Sequence, residues 1–247
     1  MDATGSWTRR WLPALVLASA LALAGCSAAN ENTAPNQDAT VLLDAQPGAV
    51  HAGIYTAVAR GYDEALGAVL TIAPPPAAGD AAQQISTARA EFAVLRIEDL
   101  ATARERGLDV VGVMAIVQRP TKEQPPAPPY PPLVLSTGRI TLQDEPALVR
   151  ATLSAISRGY SEVFGDPESA VSILLEASEG LDRATVVREL DAVSPDFTAG
   201  ARFFGELDPD RLRAWATYAQ RRKIVRKPPD VARMFEGRFV PRSGSRD

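Results

Sequence analysis

The sequence predicts an α/β fold, with a parallel sheet first and a helical region after it. Three features carry that prediction. Short apolar runs at Val41–Leu43, Gly67–Ile72, Glu91–Leu95 and Val110–Val117 alternate with stretches of helical period. The runs are separated by turn-forming residues, such as Gln46-Pro47-Gly48 and Pro74-Pro75-Pro76. Beyond Leu133–Ser136 the apolar spacing is helical almost to the end. Alternating strands and helices give parallel strands joined by right-handed crossovers.

The first 26 residues read as an export signal. Arg9 and Arg10 supply the positive start, and Trp11–Ala24 is an apolar run too short for a bilayer span of about 20 residues. The run ends in Leu23-Ala24-Gly25-Cys26, which is similar to a bacterial lipobox with Cys26 as the lipid-bearing residue. Residues 1–25 are then the signal peptide. Residues 26–40 are polar and aperiodic, as expected of a flexible tether.

An α/β lobe is expected over 41–120. Val41–Leu43 is its first strand, and His51–Ala65 a helix with Ile54, Tyr55, Val58 and Tyr62 on one stripe. Gly67–Ile72 is the second strand, and a helix capped by Asp80 runs to Arg89. Glu91–Leu95 is the third strand, followed by a helix over Ile97–Arg106 that Gly107 closes. Val110–Val117 is apolar throughout, as a central strand covered on both faces would be.

Residues 121–132 are dominated by proline and read as an extended connector. The region 133–241 opens with a returning strand, Leu133–Ser136. Helices follow over Thr141–Phe164, after the cap pairs Asp166-Pro167 and Asp208-Pro209, after Asp182, and at Val231–Phe235. Residues 242–247 form a polar tail.

Composition narrows the function. The 247 residues carry a net charge of −4, unlike the basic face that nucleic acid requires, so no nucleic-acid partner is expected. One cysteine excludes an internal disulfide and a cysteine-based zinc site. One histidine excludes a His-rich metal centre, and neither a metal nor a cofactor is expected.

In an open parallel sheet, ligands bind where the strands end. That edge holds Asp44, Gln46 and His51 after the first strand, Leu95 at the end of the third and Gln118 after the fourth. Asp44 can accept from a ligand amine and Gln118 can read an amide. His51 and Tyr55 open the helix that follows the first turn. These six are the candidate ligand-binding residues. The basic run Arg221-Arg222-Lys223 with Arg226-Lys227 reads as a solvated helix end, or as a surface for anionic headgroups or a transporter subunit.

Several ordered segments resemble the substrate-binding proteins of ABC importers, in the NMT1/THI5-like branch that includes carriers of thiamine-pyrimidine precursors. They are Leu43-Asp44 with Pro47, His51-Ala52-Gly53-x-Tyr55, Ala90–Val94, Ala115–Pro120, Glu145-Pro146, Asp166-Pro167-Glu168, Leu207-Asp208-Pro209 and Lys227-Pro228. The resemblance implies a type II periplasmic-binding-protein-like fold in a solute-binding lipoprotein. That protein would be held outside the cytoplasm by lipid on Cys26, with ABC permease subunits and a pyrimidine or related heterocycle as partners. Two departures stand out. Family members carry a second α/β lobe where this chain has only 121–132, so a single lobe is expected. The pyrimidine carriers have an aromatic residue after the aspartate and an asparagine after the proline, where this chain has Ala45 and Gly48. Weakened binding follows. A lobe that acts through a protein partner is the alternative. A pyrimidine synthase is disfavoured, because Arg96–Arg106 holds no histidine and no cysteine-rich segment exists, so no catalytic residue is expected.

Overall fold

Five strands form one sheet: β1 (Gln37–Leu42), β2 (Ala68–Ala73), β3 (Phe92–Arg96), β4 (Val110–Val117) and β5 (Leu133–Gly138). Their spatial order is β2-β1-β3-β5-β4. The computed structural model describes residues 36–76, 80–120 and 127–242, all within the unit Pro35–Asp247. The signal, Cys26, most of the tether and residues 121–126 lie outside the described residues.

β1 pairs in parallel with β2 and β3, as the alternation predicts. The expectation of a wholly parallel sheet needs correction. β5 runs antiparallel to both β3 and β4 and lies between them. The reason is the connector. A parallel neighbour needs a crossover of a dozen or more residues that returns to the starting edge. β5 instead begins at the edge where β4 ends, and Val117 and Leu133 face each other across the pair.

The helices are α1 (Ala52–Ala59), α2 (Asp80–Ser86), α3 (Ile97–Glu105), α4 (Arg139–Asp144), α5 (Pro146–Gly165), α6 (Pro167–Ala177), α7 (Arg183–Val193), α8 (Pro209–Arg221) and α9 (Val231–Met234). Alternate strand residues point to opposite faces of the sheet. Val41, Leu43, Phe92 and Val94 pack with residues of α1 and α5–α7, whereas Leu42, Ala93 and Leu95 pack with α2, α3 and α8.

Most predicted starts and stops hold. Asp166, Asp182, Asp208 and Asp230 each cap a helix with their own carboxylates. Gly107 adopts φ +92° after α3. Some boundaries move. β1 starts at Gln37, inside the expected tether. The first helix ends at Ala59, and residues to Leu66 form turns. Thr141–Phe164 is not one helix, because Pro146 lacks the N–H that α4 would need to continue.

β4 is also not central. All eight of its residues are buried, yet it is the edge strand. Later segments cover its outer edge. Ala115 N donates to Gly205 O at 3.1 Å, Glu236 N donates to Gly112 O at 2.9 Å, and Gln118 N donates to Asp196 O at 2.7 Å. An edge covered in this way has no open template for further strands.

Candidate functional site

β1 and β3 end side by side, and a cleft of about 490 Å³ opens where they stop. The Leu95 side chain lies at its base, bordered by Leu43 and Val94, whose side chains are buried in the opposite face of the sheet, and Pro75 and Ala82 form one wall. Along the other wall α3 presents Asp99, Thr102 and Arg106 at helical spacing. Asp44, Ala45 and Arg96 complete the rim. The floor is apolar, while the rim carries both signs of charge.

Asp44 is held from behind. His51 ends the single 3₁₀ turn that precedes α1, and its ring is 1% exposed. Its Nε2 lies 2.9 Å from Asp44 Oδ1. A carboxylate can only accept, so Nε2–H donates. The ring's Nδ1 is buried without a partner. Asp44 is thus oriented before any ligand arrives, and His51 acts through it.

On the opposite rim, Arg96 donates to both oxygens of Asp99, at 2.9 and 3.1 Å. The Asp99 hydrogen bond is the main cause of the raised pKa of Arg96, and Asp44 adds to it. Arg106 has no carboxylate partner among the described residues and stands free at the far end of the groove.

Behind α1 lies an aromatic cluster. Tyr160 stacks on Phe204 at 4.3 Å between ring centroids and meets Phe197 edge-on at 5.0 Å. Its hydroxyl donates to Val50 O at 2.6 Å, which anchors the turn that carries His51. Burial pushes the Tyr160 hydroxyl well above its ordinary range, so it stays a donor.

Of the six residues predicted for the site, Asp44 and Leu95 line the cleft. Gln46 is exposed on the turn beside it. His51 stands behind Asp44, and Tyr55 is half-buried against the core. Gln118 is 1% exposed and already engaged, its Nε2 donating to Glu206 O at 2.8 Å. Arg211 donates to both its backbone and its side-chain oxygen. It therefore fastens the C-terminal segment to β4 rather than reaching the cleft. Arg96, Asp99 and Arg106 were not predicted, although their spacing after a strand end was a usable signal.

Residues 48–124 match the model of the family described as NMT1/THI5 like. None of the curated proteins matches in sequence. Solved structures do match in fold. A Candida albicans protein with the generic periplasmic binding protein fold gives a TM-score of 0.61 at 9% identity, over 85% of this chain and 99% of that one. The alkanesulfonate-binding protein SsuA from Xanthomonas axonopodis pv. citri, bound to MOPS, gives 0.61 at 10% identity, over 83% and 99%. The nitrate-binding protein NrtA from Synechocystis gives 0.61 at 8%, over 83% and 87%. These likenesses show that the chain has the periplasmic-binding-protein fold.

Proposed function

We propose, from that fold and from the match of residues 48–124 to the NMT1/THI5 like family, that the protein is an extracytoplasmic solute-binding subunit that serves an ABC importer. In this reading Cys26 carries a lipid anchor and the protein does no chemistry of its own. The observation that carries the reading is the cleft at the ends of β1 and β3, which has an apolar floor and an Asp44 already held by a buried histidine.

The solute class that suits this cleft is a small heterocycle with a cationic or amino group. A flat ring fits against Leu95, Pro75 and Ala82, and Asp44 accepts from the amine. Aminopyrimidines of the thiamine-precursor type meet both needs. Affinity is expected to be modest. Ala45 offers no ring to stack on, a contribution of about 1–3 kcal/mol elsewhere. The described residues also supply one sheet and one wall, whereas a two-lobed clamp buries most of its ligand.

The test is a thermal-shift screen of pyrimidines, flavins and other small heterocycles, run beside Asp44→Asn. A ligand that binds only the native state raises the melting temperature by mass action, by an amount equal to about 2.7 kcal/mol of stability at a hundredfold excess over Kd. A shift that Asp44→Asn abolishes supports the reading. A folded protein that shifts with no compound refutes unaided solute binding. It supports the second reading, in which a partner protein closes the open cleft.

A further inference from the structure

We propose that the edge of the sheet opposite the cleft is a docking surface for a bilayer rich in anionic headgroups. The inference starts from topology. α3 and α8 both run from the cleft edge to the opposite one: α8 begins near Gln118, which Arg211 contacts, and ends near Glu105, which Arg226 contacts. The segment that follows α8 therefore lies at the edge where β4 begins and β5 ends.

That corner gathers positive charge. Arg221, Arg222, Lys223, Arg226 and Lys227 are exposed in and after the last turn of α8. Arg104, Arg139 and Arg233 join them from three other elements. Arg104 and Arg139 pair with Asp109, and Arg139 Nη2 donates to Arg233 O at 2.9 Å. Among the described residues, Asp109 is shared by Arg104 and Arg139, Glu105 pairs with Arg226, and Asp230 lies beside Arg233. A cleft of about 240 Å³ lies among them, with Lys227 and Arg233 on its wall. The whole chain, by contrast, carries a net charge of −4.

Helix capping does not account for the cluster. A helix C-terminus favours cations only within its last turn. That covers Arg221 and Arg222 at the end of α8, Arg104 at the end of α3 and Arg233 at the end of α9, but not Lys223, Arg226, Lys227 or Arg139. Nor do ion pairs, since among the described residues Arg221, Arg222, Lys223, Lys227 and Arg233 have no carboxylate partner.

The position favours a membrane over an acidic protein. β1 starts at Gln37 on this same edge, so the chain before it joins the domain there. Three strand spacings, about 14 Å, separate β1 from β4. Cys26 is eleven residues before Gln37, a span of about 36 Å when extended. An anchor at Cys26 therefore lets the basic corner reach the surface and turns the cleft outward. The β2 end of the edge carries Asp38 and Glu64 instead, which confines the docking face to the β4 end.

The test uses the full chain and vesicles of phosphatidylcholine, with or without 30% phosphatidylglycerol. Any lipid on Cys26 acts on both vesicle types alike, so the difference between them reports the basic corner. The expected result is stronger partition into the anionic vesicles, lost in high salt. Each basic residue near such a surface contributes enough that Arg221→Gln, Arg222→Gln and Lys227→Gln together weaken anionic binding on the order of a hundredfold. All three side chains are exposed, so an unchanged melting temperature confirms folding. Equal partition into both vesicle types, or anionic binding that the triple variant keeps, overturns the proposal. The outcome does not depend on whether the cleft binds a solute.

Discussion

His51 donates to Asp44 at 2.9 Å from a ring that is 1% exposed, so one buried imidazole sets the direction of the carboxylate at the cleft. His51→Ala removes that donor and leaves a void. It is expected to lower unfolding free energy by about 2–4 kcal/mol in urea titrations at pH 7. Glu98 behaves differently. Burial raises its pKa from the ordinary 4.5, and Tyr130, which donates to it at 3.3 Å, only partly offsets this. A carboxyl with a raised folded-state pKa adds stability below its unfolded value and loses it as pH rises through the folded one. Glu98→Gln should therefore flatten the decline in melting temperature as pH climbs above 4.5. At this scale the sequence was partly legible. Asp44 and His51 flank a strand–helix turn, and such turns announce themselves. Gln118 misled because a polar residue at a strand end looks the same whether it faces a ligand or ties down a distant segment.

Elements meet where their surfaces allow. α1 crosses α5 at Gly53 and Gly159, and the backbones touch. A methyl on residue 159 would overlap the carbonyl of Gly53 and press on Ala57. Backbone cannot rotate away as a side chain can, so Gly159→Ala is expected to cost about 3 kcal/mol, read as a lower midpoint in denaturant. Such close crossings leave no periodic trace in a sequence. β4 shows another limit of sequence reading. Eight buried apolar residues report that both faces are covered, but say nothing about whether the two edges are paired with strands or with later loops.

Across the whole molecule, the cleft and the basic corner occupy opposite edges of one sheet, and α3 and α8 span the distance between them. The proline segment is more than a spacer. Tyr130 is buried against Trp215 at 6.2 Å between ring centroids, and Pro132 O accepts from Ile97 N at 3.0 Å. The layer class was readable from alternation, because each strand and helix signals itself locally. Strand order was not, because the place of β5 depends on where a proline-rich connector can return. That choice is made by geometry across the sheet.

The place of β5 has a consequence for how the chain is made. A chain emerging from its N-terminus completes β1, β2 and β3 as mutual partners early. β4 then appears with no strand beside it until the fifteen residues after Val117 have passed and β5 arrives. Its other side waits longer still, for segments as late as Phe235 and Glu236. From Val117 to Glu236 the outer edge of this apolar strand is not fully covered, the kind of stretch that invites association between chains. Cover for the outer edge of β4 therefore falls to the last part of the chain, and a truncation before Phe235 would leave that edge open at Gly112 although all five strands are present.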